Sequence, residues 1–372
     1  MKVGFIGWRG MVGSVLMERM RACGDFKGLD ATFFSTSKVG GDGPVIDGRA
    51  YKLGDAFDLA RLAEHEVLVT CQGGGYTKDV YAKLRGRGWK GHWIDAASAL
   101  RMQDDVVLIL DPVNMPVIQR GLAAGTRTWC GPNCTVSILL FAIQGLIEAD
   151  LVEWVSTMTY QAASGAGAEQ MREFVDQWAH VVDRARPLLA DPNATPLAVE
   201  ASVTASVREG GLPTKHFGHP LAANLLPWID VPVDGGQTRE EWKSHHEGNK
   251  ILGRAGANAI PIDGACVRVG ALRCHSHGVT LKLTRDVPVA EIEQRVAAGN
   301  PWVRVVPNER EATLARLTPA AVTGTLDVAV GRVRKLQMGA EYVSLFAVGD
   351  QLLWGAAEPL RRMLQILRGR TP

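Results

Sequence analysis

The sequence predicts an α/β chain of two domains, the first on a parallel sheet and the second on a mixed or antiparallel one. Three observations carry this. Residues 2–6 form a short apolar strand that runs into Gly7-Trp8-Arg9-Gly10-Met11-Val12-Gly13 and then a helix-period stretch through Met20. Further short strands alternate with segments of helical length, which a parallel sheet needs for its crossovers. After Cys134 the rhythm changes, and Ala265–Leu272 and Val279–Leu283 alternate their side chains as antiparallel strands do.

In chain order, strands are expected at 2–6, 31–35, 67–70, 93–95 and 106–110, punctuated by turn chemistry such as Gly73-Gly74-Gly75. The apolar run Ile138, Leu139, Leu140, Phe141 and Ile143 reads as a buried helix that opens at Cys134, with Asn133 as its N-cap. Residues 155–161 are strand-like and 169–184 helix-like, while 190–238 are rich in proline, glycine and polar residues. The closing stretch, 351–367, is amphipathic and is expected to pack back on the first domain. There is no internal repeat and no low-complexity tract.

Composition bounds the function. The chain has 372 residues, 46% hydrophobic and 22% charged, enough for two domains with real cores. Basic and acidic residues nearly balance, 41 against 39, and no basic block is interleaved with aromatics, so no nucleic-acid partner is expected. Small anionic ligands remain open. Six cysteines show no CxxC pair and no zinc spacing, in a chain too large to need disulfide staples, so neither a metal site nor a disulfide framework is expected. A reducing cytoplasm fits this usage. The N-terminus lacks a basic segment followed by a long apolar region, and no run of about 18 apolar residues suggests a membrane span.

Cys134 has the setting of a working thiolate, because a helix start offers unpaired N–H groups and the positive end of the macrodipole, both expected to lower its pKa. Cys130, four residues earlier, reads as a buried bystander. A proton partner is needed, and His275 in Arg273-Cys274-His275-Ser276-His277 lies at the end of an alternating strand that also carries Arg268. His277, His245 and His246 remain open as alternatives. The glycines at 7, 10 and 13 follow a buried strand and precede a helix, where they let a backbone approach a pyrophosphate. Phe34-Ser35-Thr36-Ser37-Lys38 closes the second strand with no acid, so hydroxyls and a lysine favour a 2′-phosphate, and NADP over NAD. The small-residue loop from Gln161 to Ala168 is a second natural place for backbone donors to meet phosphate or nicotinamide.

Gly-Trp-Arg-Gly-Met-Val-Gly at 7–13, Gly-Pro-Asn-Cys-Thr-Val-Ser at 131–137, Gln-Ala-Ala-Ser-Gly at 161–165, Glu-Glu-Trp-Lys at 240–243 and Cys-Val-Arg-Val-Gly-Ala-Leu-Arg-Cys-His-Ser at 266–276 closely resemble the aspartate-β-semialdehyde dehydrogenase family. The resemblance is to the branch typical of Gram-negative bacteria, and 319–324 with 349–359 extends it to the C-terminus. It implies a Rossmann-like dinucleotide-binding domain, residues 1–133 with 355–372, and an α+β catalytic and dimerisation domain, 134–354. The implied activity is reduction of β-aspartyl phosphate to aspartate β-semialdehyde and phosphate by NADPH, on the route to lysine, methionine, threonine and isoleucine, in a cytoplasmic homodimer. Cys134 is implied as the nucleophile that forms a thioacyl enzyme, His275 as the acid/base and Gln161 as the residue orienting the intermediate. Arg268 and Glu240 would hold the substrate's α-carboxylate and α-ammonium, and Arg101, Asn133 and Lys243 the phosphate. NADP(H) would lie along Gly7, Arg9, Gly10, Met11, Val12, Gly13, Thr36, Ser37, Gln72, the loop Ser164, Gly165, Ala166, Gly167, Ala168, and Gln351. The choice of Glu240 over Glu241 rests on register with Lys243. Pro132, Ala166 and Glu169 depart from close relatives: Pro132 removes a backbone donor beside the thiol, and Glu169 adds a negative charge near a cofactor phosphate. Two other readings share part of the pattern. One is an N-acetyl-glutamyl-phosphate reductase, against which a carboxylate placed for an ammonium argues; the other is a cysteine acyltransferase or hydrolase, against which the glycine loop argues.

Overall fold

The computed structural model describes residues 1–372. The first half runs β1 (Lys2–Ile6), α1 (Met11–Ala22), β2 (Asp30–Ser35), β3 (Asp42–Ile46), β4 (Arg49–Asp55), α2 (Leu59–Leu62), β5 (Val67–Thr70), α3 (Gly74–Gly86), β6 (His92–Asp95), β7 (Val106–Leu108), α4 (Asp111–Ala123) and β8 (Thr128–Cys130). These strands form one sheet in the order β3-β4-β2-β1-β5-β6-β8-β7, parallel except for the β3–β4 hairpin. β1 is apolar on both faces because both are covered: Val3 and Phe5 meet Val15, Met17 and Met20 of α1, while Ile6 joins Tyr76, Val80 and Leu84 of α3. The chain leaves β1 toward β2 and later returns to β5 on the other side. That reversal opens a crevice at the carboxyl ends of β1 and β5, where α/β sheets take ligands.

The hairpin was legible but absent from the sequence expectations. Asp47 and Gly48 both have positive φ, 49° and 78°, so Asp-Gly forms the primed turn that its sequence favours. β8 was also missed, being three buried residues between β6 and β7 whose Thr-Trp-Cys has no alternation to read.

The second half runs α5 (Cys134–Glu148), β9 (Val152–Gln161), α6 (Ala168–Ala190), α7 (Pro196–Arg208), α8 (Arg239–Leu252), β10 (Ile262–Arg268), β11 (His275–Leu283), α9 (Val289–Ala298), β12 (Val303–Val305), α10 (Arg310–Arg316), α11 (Pro319–Val322), β13 (Val328–Leu336), β14 (Gly339–Gly349), a π-helical turn (Leu353–Ala357) and α12 (Glu358–Leu367). The sheet order is β10-β9-β11-β14-β13-β12. It is mixed. β10 pairs parallel with β9, against the antiparallel reading of 265–272, because the next antiparallel partner of β9 is β11. Alternation reports one covered face and is silent on strand direction. Within the stretch expected to be merely polar and turn-rich, α7 starts on a Thr195 cap with Pro196 at its first position.

α5 is buried along almost its whole length and shares one apolar cluster with Val155, Val279, Leu281, Val343 and Leu345 of the second sheet and Leu68 and Trp93 of the first. One continuous core therefore underlies both sheets. The C-terminal segment does pack back: Leu360, Met363 and Leu364 of α12 join Val3, Phe5 and Met20. Arg361 pairs with Glu358 and Asp25, and Arg362 with Asp111, all buried. No helix is long and apolar enough to cross a membrane.

Candidate active site

α5 begins at Cys134 because Asn133 caps it. The Asn133 Oδ1 accepts the N–H groups of Thr135 and Val136 at 2.9 and 3.2 Å. The Cys134 N–H itself has no partner within the protein. Behind the thiol, the π-helical turn approaches so closely that a Cβ on Gly355 would lie 2.5 Å from the Cys134 Cβ. That glycine, which sequence reading passed over, fixes where the side chain can point.

His275 is fully buried, and its Nε2 lies 3.3 Å from the Cys134 Sγ. It opens β11, where the sequence had placed it at the end of the strand carrying Arg268; the chain instead turns between Arg268 and His275, with Cys274 at φ 74°. The His275 Nδ1 accepts the Ala162 N–H at 3.0 Å, so the neutral ring carries its proton on Nε2, facing the sulfur. His277 faces Thr157 inside the sheet, His246 stacks on Trp242, and His245 lies by the start of β10. Of the four candidates only His275 reaches the thiol.

The expected lowering of the thiol pKa does not hold. Burial pushes Cys134 up to about 11, with the negative charge of Glu240 adding to the rise and Arg268, Lys243 and Arg101 pulling against it. Removal from water outweighs the helix start. Burial also holds His275 well below the ordinary imidazole range, helped by Arg268 and His277. The resting pair is a neutral thiol beside a neutral ring.

Glu240, Lys243 and Glu247 lie at i, i+3 and i+7 on α8, one stripe of the helix, and all are buried. Glu240 accepts from Asn133 Nδ2 at 3.1 and 3.2 Å, from Gln161 Nε2 at 3.3 Å and from Lys243 Nζ at 2.9 Å. Burial favours its neutral acid, but Lys243, Asn133 and Arg268 outweigh it and hold Glu240 below the usual carboxylate range. Glu241 closes a capping box with Thr238, so the register that selects Glu240 for the pocket is fixed by the helix start. Arg268, ending β10, donates to the Ala162 carbonyl at 2.8 Å. Arg101 reaches in from the loop after β6. Gln351 spans two segments, donating to Ser164 Oγ at 2.5 Å and accepting the Cys274 N–H at 2.7 Å.

Cys134, Asn133, Gln161, Glu240, Lys243, Arg268, Arg101, Gln351, Ser164 to Gly167, Met11 and Val12 line one cleft of about 490 Å³. Asp230, which sequence reading missed, lines it too and pairs with Lys243 at 2.8 Å. Its φ of 72° is an uncommon conformation for a non-glycine residue, a local feature that no sequence pattern marks.

A second cleft, about 770 Å³, is lined by Gly7 to Gly10, Ser35 to Lys38 and Gln72. The two meet at the glycine loop, since Gly7 to Gly10 line one and Met11 and Val12 the other. Gly7 has φ 75° and a Cβ there would sit 2.5 Å from the Cys71 carbonyl carbon; on Gly13 it would sit 2.2 Å from the Gly7 oxygen. The loop is thus a cradle that side chains would fill, at the start of α1, which suits a dinucleotide's phosphates. Ser35 Oγ accepts the N–H groups of Ser37 and Lys38, shaping the polar turn expected to meet a 2′-phosphate. Arg172 and Glu169 of α6 also line this cleft, and Arg172 was missed. Gly13 and Ala168 line neither cleft: Gly13 packs within the loop, and Ala168 opens α6.

Two family models match the chain: "Semialdehyde dehydrogenase, NAD binding domain" over residues 2–120 and "Semialdehyde dehydrogenase, dimerisation domain" over 143–354. Among solved structures, the aspartate semialdehyde dehydrogenase of Francisella tularensis is 46% identical with a TM-score of 0.94, covering 99% of this chain and 100% of that one. The aspartate semialdehyde dehydrogenase II of Vibrio cholerae, complexed with ASA, is 21% identical with a TM-score of 0.80 over 99% of this chain and 98% of that one. The Candida albicans enzyme with NADP is 17% identical with a TM-score of 0.63 over 99% and 98%. The last two attest the fold.

Proposed function

The chain belongs to the aspartate semialdehyde dehydrogenase family, and from that premise we propose that it reduces β-aspartyl phosphate with NADPH through a thioacyl enzyme on Cys134. The observation that carries this is the Cys134 Sγ facing His275 Nε2 at 3.3 Å, beside a pocket lined by both Glu240 and Arg268, whose opposite charges complement an amino-acid head group. Glu240 would bind the α-ammonium and Arg268 the α-carboxylate, while Arg101, Lys243 and Asn133 meet the phosphate. NADP(H) would lie across Gly7 to Val12, Thr36, Ser37, Gln72, Ser164 to Gly167 and Gln351; when bound it supplies or accepts the hydride.

The sulfur attacks the acyl phosphate, and the transfer balances without an extra base: thiol plus acyl-phosphate dianion gives thioester plus hydrogenphosphate. The developing oxyanion needs donors. Pro132 has no N–H, the Asn133 N–H is already bonded to Glu247 and the Gln161 amide donates to Thr159 and Glu240, so the free Cys134 N–H is left for it, and Gln161 can serve only by exchanging one of those bonds. His275 acts first as a donor, its Nε2–H stabilising sulfur as an anion when a thiohemiacetal collapses to aldehyde. To act as a base it must give up the Ala162 hydrogen bond, at about 0.5–1.5 kcal/mol.

We assign residues 1–133 with 355–372 to the cofactor unit and 134–354 to the catalytic one, working as a cytoplasmic homodimer. Met158 and Tyr160, exposed on the outer face of β9, support a partner copy on that sheet. The test follows NADPH formation from aspartate β-semialdehyde, NADP and phosphate. Wild type should respond to phosphate, and Cys134→Ala should fall to background; a wild type indifferent to phosphate would sink the reading, and an active variant the covalent route.

A further inference from the structure

Glu247 is the third buried charge on the stripe of α8 that faces the thiol, and nothing in the reaction above uses it directly. Its side chain is 2% exposed. Both carboxylate oxygens lie 3.2 Å from Arg101 Nη1, and Oε2 also accepts the Asn133 N–H at 2.9 Å. Arg101 comes from the loop after β6 in the first sheet, Asn133 caps the helix of the nucleophile, and Glu247 belongs to α8. One carboxylate thus ties together three segments separated by up to 146 residues.

Arg101 has little else to hold it. Its Nη2 donates to the Ala96 carbonyl at 3.1 Å and its Nε is buried without a partner. Burial works against its charge, and Glu247 leads the neighbours that together outweigh it, with Cys130 and Cys134 adding to the effect. A guanidinium aimed at phosphate does so by its planar fork, and the fork is only as well placed as the anion that orients it.

We propose that Glu247 is a positioning residue that sets phosphate affinity by fixing the Arg101 fork and the Asn133–Cys134 backbone against each other. The proposal rests on the assignment of Arg101 to the phosphate. Charge alone predicts the reverse, since a carboxylate beside an anion site repels the ligand. The two accounts therefore differ in sign. Under positioning, Glu247→Gln raises the KM for phosphate about tenfold or more in the direction that forms NADPH, with the KM values for aspartate β-semialdehyde and NADP within about twofold of wild type. In an Arg101→Ala background the same change should add less than about twofold, because the group being held is gone. A phosphate KM that falls or stays level, a uniform loss across all three substrates, or full additivity with Arg101→Ala overturns the proposal. Should Glu247→Gln not fold, Glu247→Asp keeps the charge, shortens the reach and should give the same split. A wild type without phosphate-dependent turnover would instead refute the reaction itself.

Discussion

The two clefts that meet at the glycine loop are built in opposite ways. The cofactor cleft is built mostly from short contiguous loops after β1, β2 and β5, joined by Glu169 and Arg172 of α6. The thiol cleft is made of side-chain charges from segments scattered between residues 101 and 268, and most of them are buried and paired. A backbone cradle works one contact at a time. A cluster of buried charges works as a set, because removing one member leaves others desolvated and unmatched.

The sharpest way to break that contrast is Glu240→Gln. Lys243, Asn133 and Gln161 all donate to Glu240, so kcat/KM for aspartate β-semialdehyde should fall by about 10²–10³-fold, the cost of about 3–4 kcal/mol for a lost buried charge. Thiol reactivity should move the other way. Glu240 helps to raise the Cys134 pKa, so its removal should speed alkylation by iodoacetamide at mildly alkaline pH. In the wild type, the thiol held up at about 11 means that this rate climbs about tenfold per pH unit through the alkaline range up to that value. A wild-type rate already flat near neutral pH would show a thiolate at rest, and slower alkylation in the variant would reverse the assigned role of the charge.

Gly13→Ala should be milder and confined to the other cleft. The new methyl meets the Gly7 carbonyl oxygen at 2.2 Å, so the loop must shift. An increase of about tenfold in the KM for NADPH is expected with little change in kcat, together with a loss of about 1–3 kcal/mol in stability. A fall in kcat as large as that in kcat/KM would mean that the loop also places the thiol cleft, which its Met11 and Val12 line.

The same contrast governs what the sequence disclosed. The parallel sheet, the glycine loop, the Asn133 cap and the Ser35–Lys38 turn were legible because each is a local pattern with a local cause. Glu240 and Lys243 came from the family resemblance, and the register that separates Glu240 from Glu241 is set by the Thr238 cap in the structure. Asp230, Glu247 and Arg172 were not legible, since nothing in Ile229-Asp230-Val231 or in a helical Glu247 marks a side chain that meets residues far along the chain. The thiol pKa failed for a related reason: a helix start is visible in sequence, whereas the depth of burial and the position of Glu240 are tertiary facts. The direction of β10 failed because alternation carries no sign for direction.

The smallest effect should come from the rim of the cofactor cleft. Lys38 is exposed, and its N–H rather than its side chain is bonded to Ser35, so Lys38→Ala leaves the turn intact and removes only a solvated charge. Arg172 lines the same cleft and keeps a cation in place. An exposed pair of this kind is worth up to about 1 kcal/mol, so the KM for NADPH should rise by no more than about fivefold. Because mobile ions screen exposed charges, the difference from wild type should shrink toward nothing at high salt. The KM for NADH should not change, since it lacks the 2′-phosphate. A salt-independent loss, or an equal one for both cofactors, would place Lys38 among the buried and coupled charges and erase the distinction between the two clefts.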